Sequence, residues 1–137
     1  MARRVNWGDC DPAGIIYTPR AVDYVVETVE AWYHEVLGTS SAKLNIEEQT
    51  GRPTVRFEID FISALPVDSQ IVCELRLERV GRTSLTVQVT AHDGKDKIYF
   101  RASMVSCLVE KPAFKPKEFP AEMRERIEAY QAACGDG

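Results

Sequence analysis

Two aspartates lie two residues apart in the run Gly8-Asp9-Cys10-Asp11-Pro12-Ala13-Gly14-Ile15-Ile16-Tyr17. Glycine, proline and aspartate at this density mark a turn-rich loop. Thr18-Pro19 follows and reads as a helix start. Thr18 at the N-cap accepts a bond from a free backbone N–H, and Pro19 at the first helical position lacks the donor that would be orphaned there. A carboxylate beside a helix N-terminus brings together two elements of acyl-transfer chemistry. One is a nucleophile or general base. The other is a set of free amides at the positive end of the helix dipole, where an oxyanion is stabilised as it forms. Residue types alone leave two other readings open. Asp-x-Asp in such a loop is common turn chemistry, and it also occurs in metal-binding loops, although no convergent carboxylate cluster accompanies it here.

Those residues need a helix behind them and a sheet to seat it. The spacing predicts a helix from about Pro19 to Leu37, with Gly38 as its stop. Val22, Val25, Val26, Val29, Tyr33 and Val36 recur at three- and four-residue intervals, while Asp23, Glu27, Glu30 and His34 fall on the opposite face. So many valines lower helix propensity, so the segment must depend on tertiary packing. From Arg52 onward the period changes to two. Val55, Phe57, Ile59 and Phe61, then Ile71, Cys73, Leu75 and Leu77, then Leu85, Val87, Val89 and Ala91, then Ile98, Phe100, Ala102 and Met104, each alternate with mostly polar residues. Leu65-Pro66-Val67-Asp68, Gly81-Arg82-Thr83 and Asp93-Gly94-Lys95 supply short turns between them. A strand within residues 1–7 and a last helix over about residues 119–133, with Met123, Ile127 and Tyr130 on one stripe, complete the pattern. The fold class is α+β: a long buried helix against a four- or five-stranded antiparallel sheet, in a single domain over residues 1–137.

Composition narrows the partners. At 137 residues, with 45% apolar and 28% charged side chains, the chain suits one soluble core. No apolar run approaches the ~20 residues needed to span a bilayer, no signal-peptide h-region follows Met1-Ala-Arg-Arg, and a cytoplasmic address is expected. A net charge of −4 argues against nucleic acid as the partner. Cys10, Cys73, Cys107 and Cys134 form no C-x-x-C pair and only His34 and His92 could join them, so reduced thiols and no metal site are expected. The two histidines read as surface or internally satisfied residues.

The run Gly8–Tyr17 resembles the active-site signature of the 4-hydroxybenzoyl-CoA thioesterase family, specifically at Asp9, Asp11, Gly14 and the apolar–aromatic tail. The likeness extends over about residues 3–110, including the order of helix and then hairpins. It implies the hotdog fold, a long central helix wrapped by a five-stranded antiparallel sheet, and hydrolysis of an aromatic or medium-chain acyl-CoA. It further implies that Asp11 is the catalytic carboxylate, attacking the thioester or activating water. Backbone amides around Tyr17 and Thr18 would receive the oxyanion, and Gly14 would let substrate approach the loop. Arg82, Thr83 and Ser84 would meet the phosphates of the coenzyme, with Lys111, Lys115 and Lys117 as supplements. Tyr24, Trp32, Phe57 and Phe61 are candidates for the acyl pocket. No cofactor is implied, because CoA is part of the substrate. A homodimer is the minimum assembly implied, often paired again as a homotetramer. The rival reading is a non-catalytic acyl-CoA binding or sensing domain on the same scaffold. A hotdog dehydratase is disfavoured, because no histidine lies near Asp11 in the sequence.

Overall fold

The structure, a computed structural model, describes residues 1–134. In chain order these form β1 (Ala2–Arg4), α1 (Thr18–Trp32), β2 (Thr50–Gly51), β3 (Thr54–Phe61), β4 (Gln70–Val80), β5 (Ser84–His92), β6 (Ile98–Cys107), β7 (Val109–Glu110), β8 (Lys115–Pro116) and α2 (Ala121–Cys134). The period-two segments become one antiparallel sheet in the order β1-β4-β5-β6-β3, and α1 lies across it. The register puts like with like on the inner face: Cys73 opposite Ala91, Val87 opposite Met104, Val89 opposite Ala102 and Ala91 opposite Phe100. All of these are buried, together with Tyr24, Val25, Val29 and Tyr33 from the helix side. Each large apolar side chain enclosed there contributes on the order of 1.5–3 kcal/mol by leaving water.

The helix begins one residue away from its expected cap. Tyr17, extended at φ −74° and ψ 128°, is the N-cap; Thr18 is already helical and no side chain caps the start. The reason is tertiary: the Tyr17 N–H donates to the Asp9 carbonyl (2.8 Å), which holds the chain extended through Tyr17. At the other end the last turn widens to i→i+5 bonding over Tyr33–Leu37, and Gly38 stops it at φ 64°, as its sequence position predicts. The core stripe is rotated from the expected one. Ala21, Tyr24, Val25, Thr28, Val29 and Trp32 face inward, whereas Val26 is 46% exposed. Tyr24 and Thr28 enter the core because their hydroxyls are satisfied, by the Asp9 carboxylate and by the Tyr24 carbonyl.

Other elements depart from the periodic pattern at the margins. β1 is only three residues long, because Trp7–Asp9 turns into a 3-10 helix. β3 is an edge strand: Phe57 and Ile59 pack against the core, but Val55 and Phe61 are exposed, since neither a neighbouring strand nor α1 covers that margin. A helical turn at Lys43–Glu47 and a small sheet of β2, β7 and β8 were not expected from the sequence. α2 follows its predicted stripe. Met123 and Ile127 are buried, and Tyr130 meets Trp32 edge-on at 5.5 Å. The four cysteines are free thiols.

Candidate active site

Residues 9–17 form a miniature antiparallel hairpin. The Tyr17 N–H donates to the Asp9 carbonyl (2.8 Å), Cys10 and Ile16 form a bridge, and the Asp11 N–H donates to the Ile15 carbonyl (2.9 Å). Its tip is the turn Asp11-Pro12-Ala13-Gly14, closed by the Gly14 N–H on the Asp11 carbonyl at 2.9 Å. Gly14 has φ 78°, a left-handed backbone that glycine adopts without the Cβ penalty. The hairpin is also stitched to the segment before β4, by Ile16 N–H to the Leu65 carbonyl (2.8 Å) and Val67 N–H to the Gly14 carbonyl (2.9 Å).

Asp11 therefore stands at a fixed tip. Its Oδ1 accepts the Ala13 N–H at 2.8 Å, and Oδ2 takes no hydrogen bond among the described residues. One oxygen orients the carboxylate and the other is free to act. Cys10 does not compete as a nucleophile: partial burial, then the Asp9, Asp11 and Asp68 carboxylates, push its thiol up from the ordinary value, so it stays protonated.

The helix start offers fewer donors than residue types suggest. The Tyr17 N–H is taken by Asp9, Pro19 has none, and the Arg20 N–H donates to the Tyr17 carbonyl at 2.8 Å. Among the described residues the Thr18 N–H has no acceptor. Of the two amides expected to meet an oxyanion, only that of Thr18 is available. Tyr17 instead presents a half-exposed ring beside the loop, and the Ile15 and Trp7 side chains are 37% and 69% exposed.

The structure brings Asp11, Gly14, Tyr17 and Thr18 together, but not Arg82, Thr83 and Ser84. The hairpin 9–17 sits at the Gln70 end of β4, where Arg4 pairs with Gln70. The 81–84 turn lies at the Val80 end, ten strand steps of roughly 3.3 Å away, or about 33 Å. There the Arg82 guanidinium pairs with Glu118 at 3.2 Å, the Thr83 carbonyl accepts the Leu108 N–H, and Arg124 donates to the Gly81 carbonyl at 2.7 Å. Lys111 and Lys117 are tied to Asn45 and Thr50, while Lys115 is exposed. Of the expected acyl-pocket residues, Tyr24 and Trp32 are core, Phe57 is half-buried and Phe61 is 47% exposed.

His34 is exposed, and His92 accepts the Gly94 N–H on Nδ1 at 3.0 Å. A polar cleft of about 580 Å³ on the outer sheet face, lined by Glu74, Arg76, Thr90, His92 and Arg101 among others, includes none of the hairpin residues. Among the described residues no group of three or more His, Cys, Asp or Glu converges as metal ligands would, and no helix is long and apolar enough to cross a membrane.

Sequence reasoning overlooked two contributors to the loop. The Tyr24 hydroxyl donates to Asp9 Oδ2 at 2.7 Å, and the Arg3 guanidinium lies 3.5 Å over the Tyr24 ring and 3.7 Å from the same carboxylate. The available signal was Tyr24 itself, a polar-tipped aromatic beside the valines of the buried helix face.

A long helix wrapped by a five-stranded antiparallel sheet, with a carboxylate hairpin leading into the helix, defines an α+β hotdog protein. The description of the thioesterase-like superfamily matches residues 5–127, and the chain belongs to that superfamily. This membership places it among the thioester hydrolases. A thioesterase-superfamily structure from Jannaschia sp. CCS1 is 29% identical, with a TM-score of 0.85 over 94% of this chain and 90% of that one. The fold is shared with a 1,4-dihydroxy-2-naphthoyl-CoA thioesterase from Synechocystis, at 18% identity, TM-score 0.85 and 93% of each chain. It is shared too with a DHNA-CoA thioesterase from Staphylococcus aureus, at 15% identity and TM-score 0.87 over 100% of this chain and 93% of that one. No curated protein sequence matches the chain significantly.

Proposed function

We propose that the protein hydrolyses an acyl-CoA to the free acid and CoA, with Asp11 as the reacting carboxylate and the Thr18 amide as the oxyanion donor. The observation that carries this reading is the pairing, within one hairpin, of a carboxylate with a free oxygen and a helix-start N–H with no acceptor. A thioester carbonyl set between them would place its carbon toward Asp11 and its oxygen toward Thr18. Asp11 then either attacks the carbonyl carbon, with cleavage of the C–S bond and departure of CoA as the thiol, to give a mixed anhydride that water hydrolyses to the free acid, or takes a proton from a water that attacks the same carbon and displaces CoA directly. In both cases negative charge grows on the carbonyl oxygen, and a preoriented donor stabilises it without reorganisation. A binding domain needs no unengaged carboxylate at this point, which favours the enzyme over an acyl-CoA sensor.

An aromatic acyl group is the preferred substrate class, with a medium chain next. The likeness of Asp9–Tyr17 to the 4-hydroxybenzoyl-CoA thioesterases supports this, as do fold neighbours that act on 1,4-dihydroxy-2-naphthoyl-CoA and gentisyl-coenzyme A. Around the hairpin, Ile15, Tyr17 and Trp7 offer exposed apolar surface of the kind that lines such pockets. The coenzyme phosphates would be met by Arg82, Thr83 and Ser84 of a second subunit, since about 33 Å separates the two ends of β4 within one chain. The open edge of β3, with Val55, Phe61 and Ile62 exposed, supports a homodimer as the smallest working unit.

The test is thiol release from a panel of benzoyl-, hydroxybenzoyl-, phenylacetyl-, medium- and long-chain CoA thioesters, comparing wild type with Asp11→Asn. Turnover lost in the variant while acyl-CoA still binds is the expected result. Binding without turnover in both proteins would refute hydrolysis and favour the sensing domain.

A further inference from the structure

Asp9 is the residue through which the catalytic hairpin is fixed to α1, and its attachments converge from three directions. Its Oδ2 accepts the Tyr24 hydroxyl at 2.7 Å and the Asn6 N–H at 3.2 Å. Its backbone carbonyl accepts the Tyr17 N–H at 2.8 Å, and its N–H donates to the Asn6 carbonyl at 2.9 Å. Arg3 stands over the far side, 3.7 Å from the same oxygen, and its Nη1 bonds to Glu27 on the next turn of α1.

We infer that Tyr24 and Asp9 form a positioning pair, with Arg3 as its brace, that sets the spacing between the Asp11 carboxylate and the Thr18 N–H. The inference rests on the proposed role of Asp11 and extends it to residues that do not touch substrate. Asp11 is two residues from Asp9 on one arm of the hairpin, and Thr18 directly follows Tyr17 on the other. The carbonyl of Asp9 takes up the Tyr17 amide, which among the described residues leaves Thr18 as the free donor of the helix start. The side chain of Asp9 then locks that arm to the helix whose first turn holds Thr18. Tyr24 is 1% exposed, so its ring cannot swing to follow a displaced loop. Burial, and then the bond to Asp9, push the phenol up from its ordinary value, so it remains a donor throughout the range in which such an enzyme works.

Placement errors near 1 Å cost roughly a hundredfold in rate, and losing one of several restraints on a hairpin costs part of that. Tyr24→Phe deletes one oxygen and keeps both the core ring and the face under Arg3. The expected result is a fall in kcat of roughly tenfold with KM within twofold of wild type, in a protein that still folds by circular dichroism. Asp9→Ala should lower kcat comparably, and the double variant should be little worse than either single one, because both remove one interaction. Asp9→Asn retains an oxygen that accepts the Tyr24 hydroxyl and should recover most of the turnover lost in Asp9→Ala.

A folded Tyr24→Phe with kcat within twofold of wild type would overturn the inference. So would equal kcat in the Asn and Ala variants, a comparison that holds even if Tyr24→Phe does not fold. Asp11→Asn in the same assay separates the two levels. Wild-type turnover there would refute the role of Asp11 itself, whereas its loss beside an unaffected Tyr24→Phe would refute only the positioning pair.

Discussion

Replacing Thr18 by proline removes one hydrogen-bond donor from the proposed site at little structural cost. The Thr18 N–H has no acceptor in the resting protein, so nothing in the fold is broken by its loss. Tyr17 before it is extended, at φ −74° and ψ 128°, which is the conformation a residue preceding proline prefers. Proline at a first helical position has its φ preset and loses a donor that would be orphaned in any case. Stability should therefore stay within about 0.5 kcal/mol of wild type, as for a surface change. Catalysis should not. A single oxyanion donor is typically worth about 2.7–4 kcal/mol, or roughly 10²–10³ in kcat. The effect should fall on kcat rather than KM, because the donor acts on charge that exists only as the tetrahedral species forms. The assay is thiol release under saturating acyl-CoA, with the melting temperature measured in parallel. A variant with an unchanged melting temperature and kcat within threefold of wild type would show that the oxyanion is held elsewhere.

Gly14→Ala separates two roles for that glycine. An added Cβ meets nothing within 4 Å, so the stability loss should be the left-handed backbone penalty alone, about 1–2 kcal/mol by chemical denaturation; a fall in kcat/KM beyond tenfold in the folded variant would place substrate against Gly14. Arg82→Ala should raise KM for acyl-CoA severalfold, more at low salt than at high, with kcat unchanged, whereas Glu118→Gln, which releases Arg82, should lower KM; no change in either variant would remove this turn from the binding site. Glu30 tests the far end of α1. Burial opposes its charge, but the Ser41 N–H and hydroxyl and the Arg52 guanidinium outweigh burial and hold its carboxyl below the ordinary value. With the folded pKa depressed, the stabilisation is complete above the unfolded value near 4.5 and fades as pH falls through the folded one. Melting temperatures of wild type and Glu30→Gln should thus converge as pH drops from 6 toward 3, and a constant gap would exclude this linkage.

The sequence made the scaffold legible wherever a period ran long enough. The alternation in β4, in β5 and in β6 from Phe100 onward, and the Gly38 stop, predict the inner sheet face and the end of the helix, and the structure agrees. Ile98 was expected inward with them, but at the register shift beside His92 it lies in the polar outer cleft while Tyr99 is buried. Edges were less legible. Val55 and Phe61 alternate as well as any core residues, and periodicity does not reveal that β3 lies at a margin no element covers. Thr18-Pro19 carries a local cap signal, but a long-range bond from Tyr17 to Asp9 shifts the cap by one residue. β2, β7 and β8 span two residues each, too few for any period to register. At the site, the Asp9–Tyr17 run pointed to Asp11 and Thr18. The partnership of Asp9 with Tyr24 did not show, because it joins residues 15 apart through a side chain that valine-rich patterning files under core. That Arg82 lies remote from Asp11 follows from strand arithmetic, since the turns before and after β4 must occupy opposite ends of the sheet.

The hairpin has a consequence for how this protein can change over time. Its carboxylate and its free amide belong to one contiguous stretch of eight residues, Asp11 to Thr18, whose loop length is set by the Cys10–Ile16 bridge. If Asp11 and the Thr18 amide act together as proposed, insertions or deletions there would move the carboxylate and the donor apart, so the stretch can vary in side chains but hardly in length. Acyl preference is accordingly expected to shift by substitution at the exposed apolar side chains beside the hairpin, Trp7, Ile15 and Tyr17, with its length unchanged. A ten-residue transplant, Asp9 to Thr18, is correspondingly the smallest exchange expected to carry the chemistry between scaffolds, provided the recipient helix supplies a hydroxyl where Tyr24 stands.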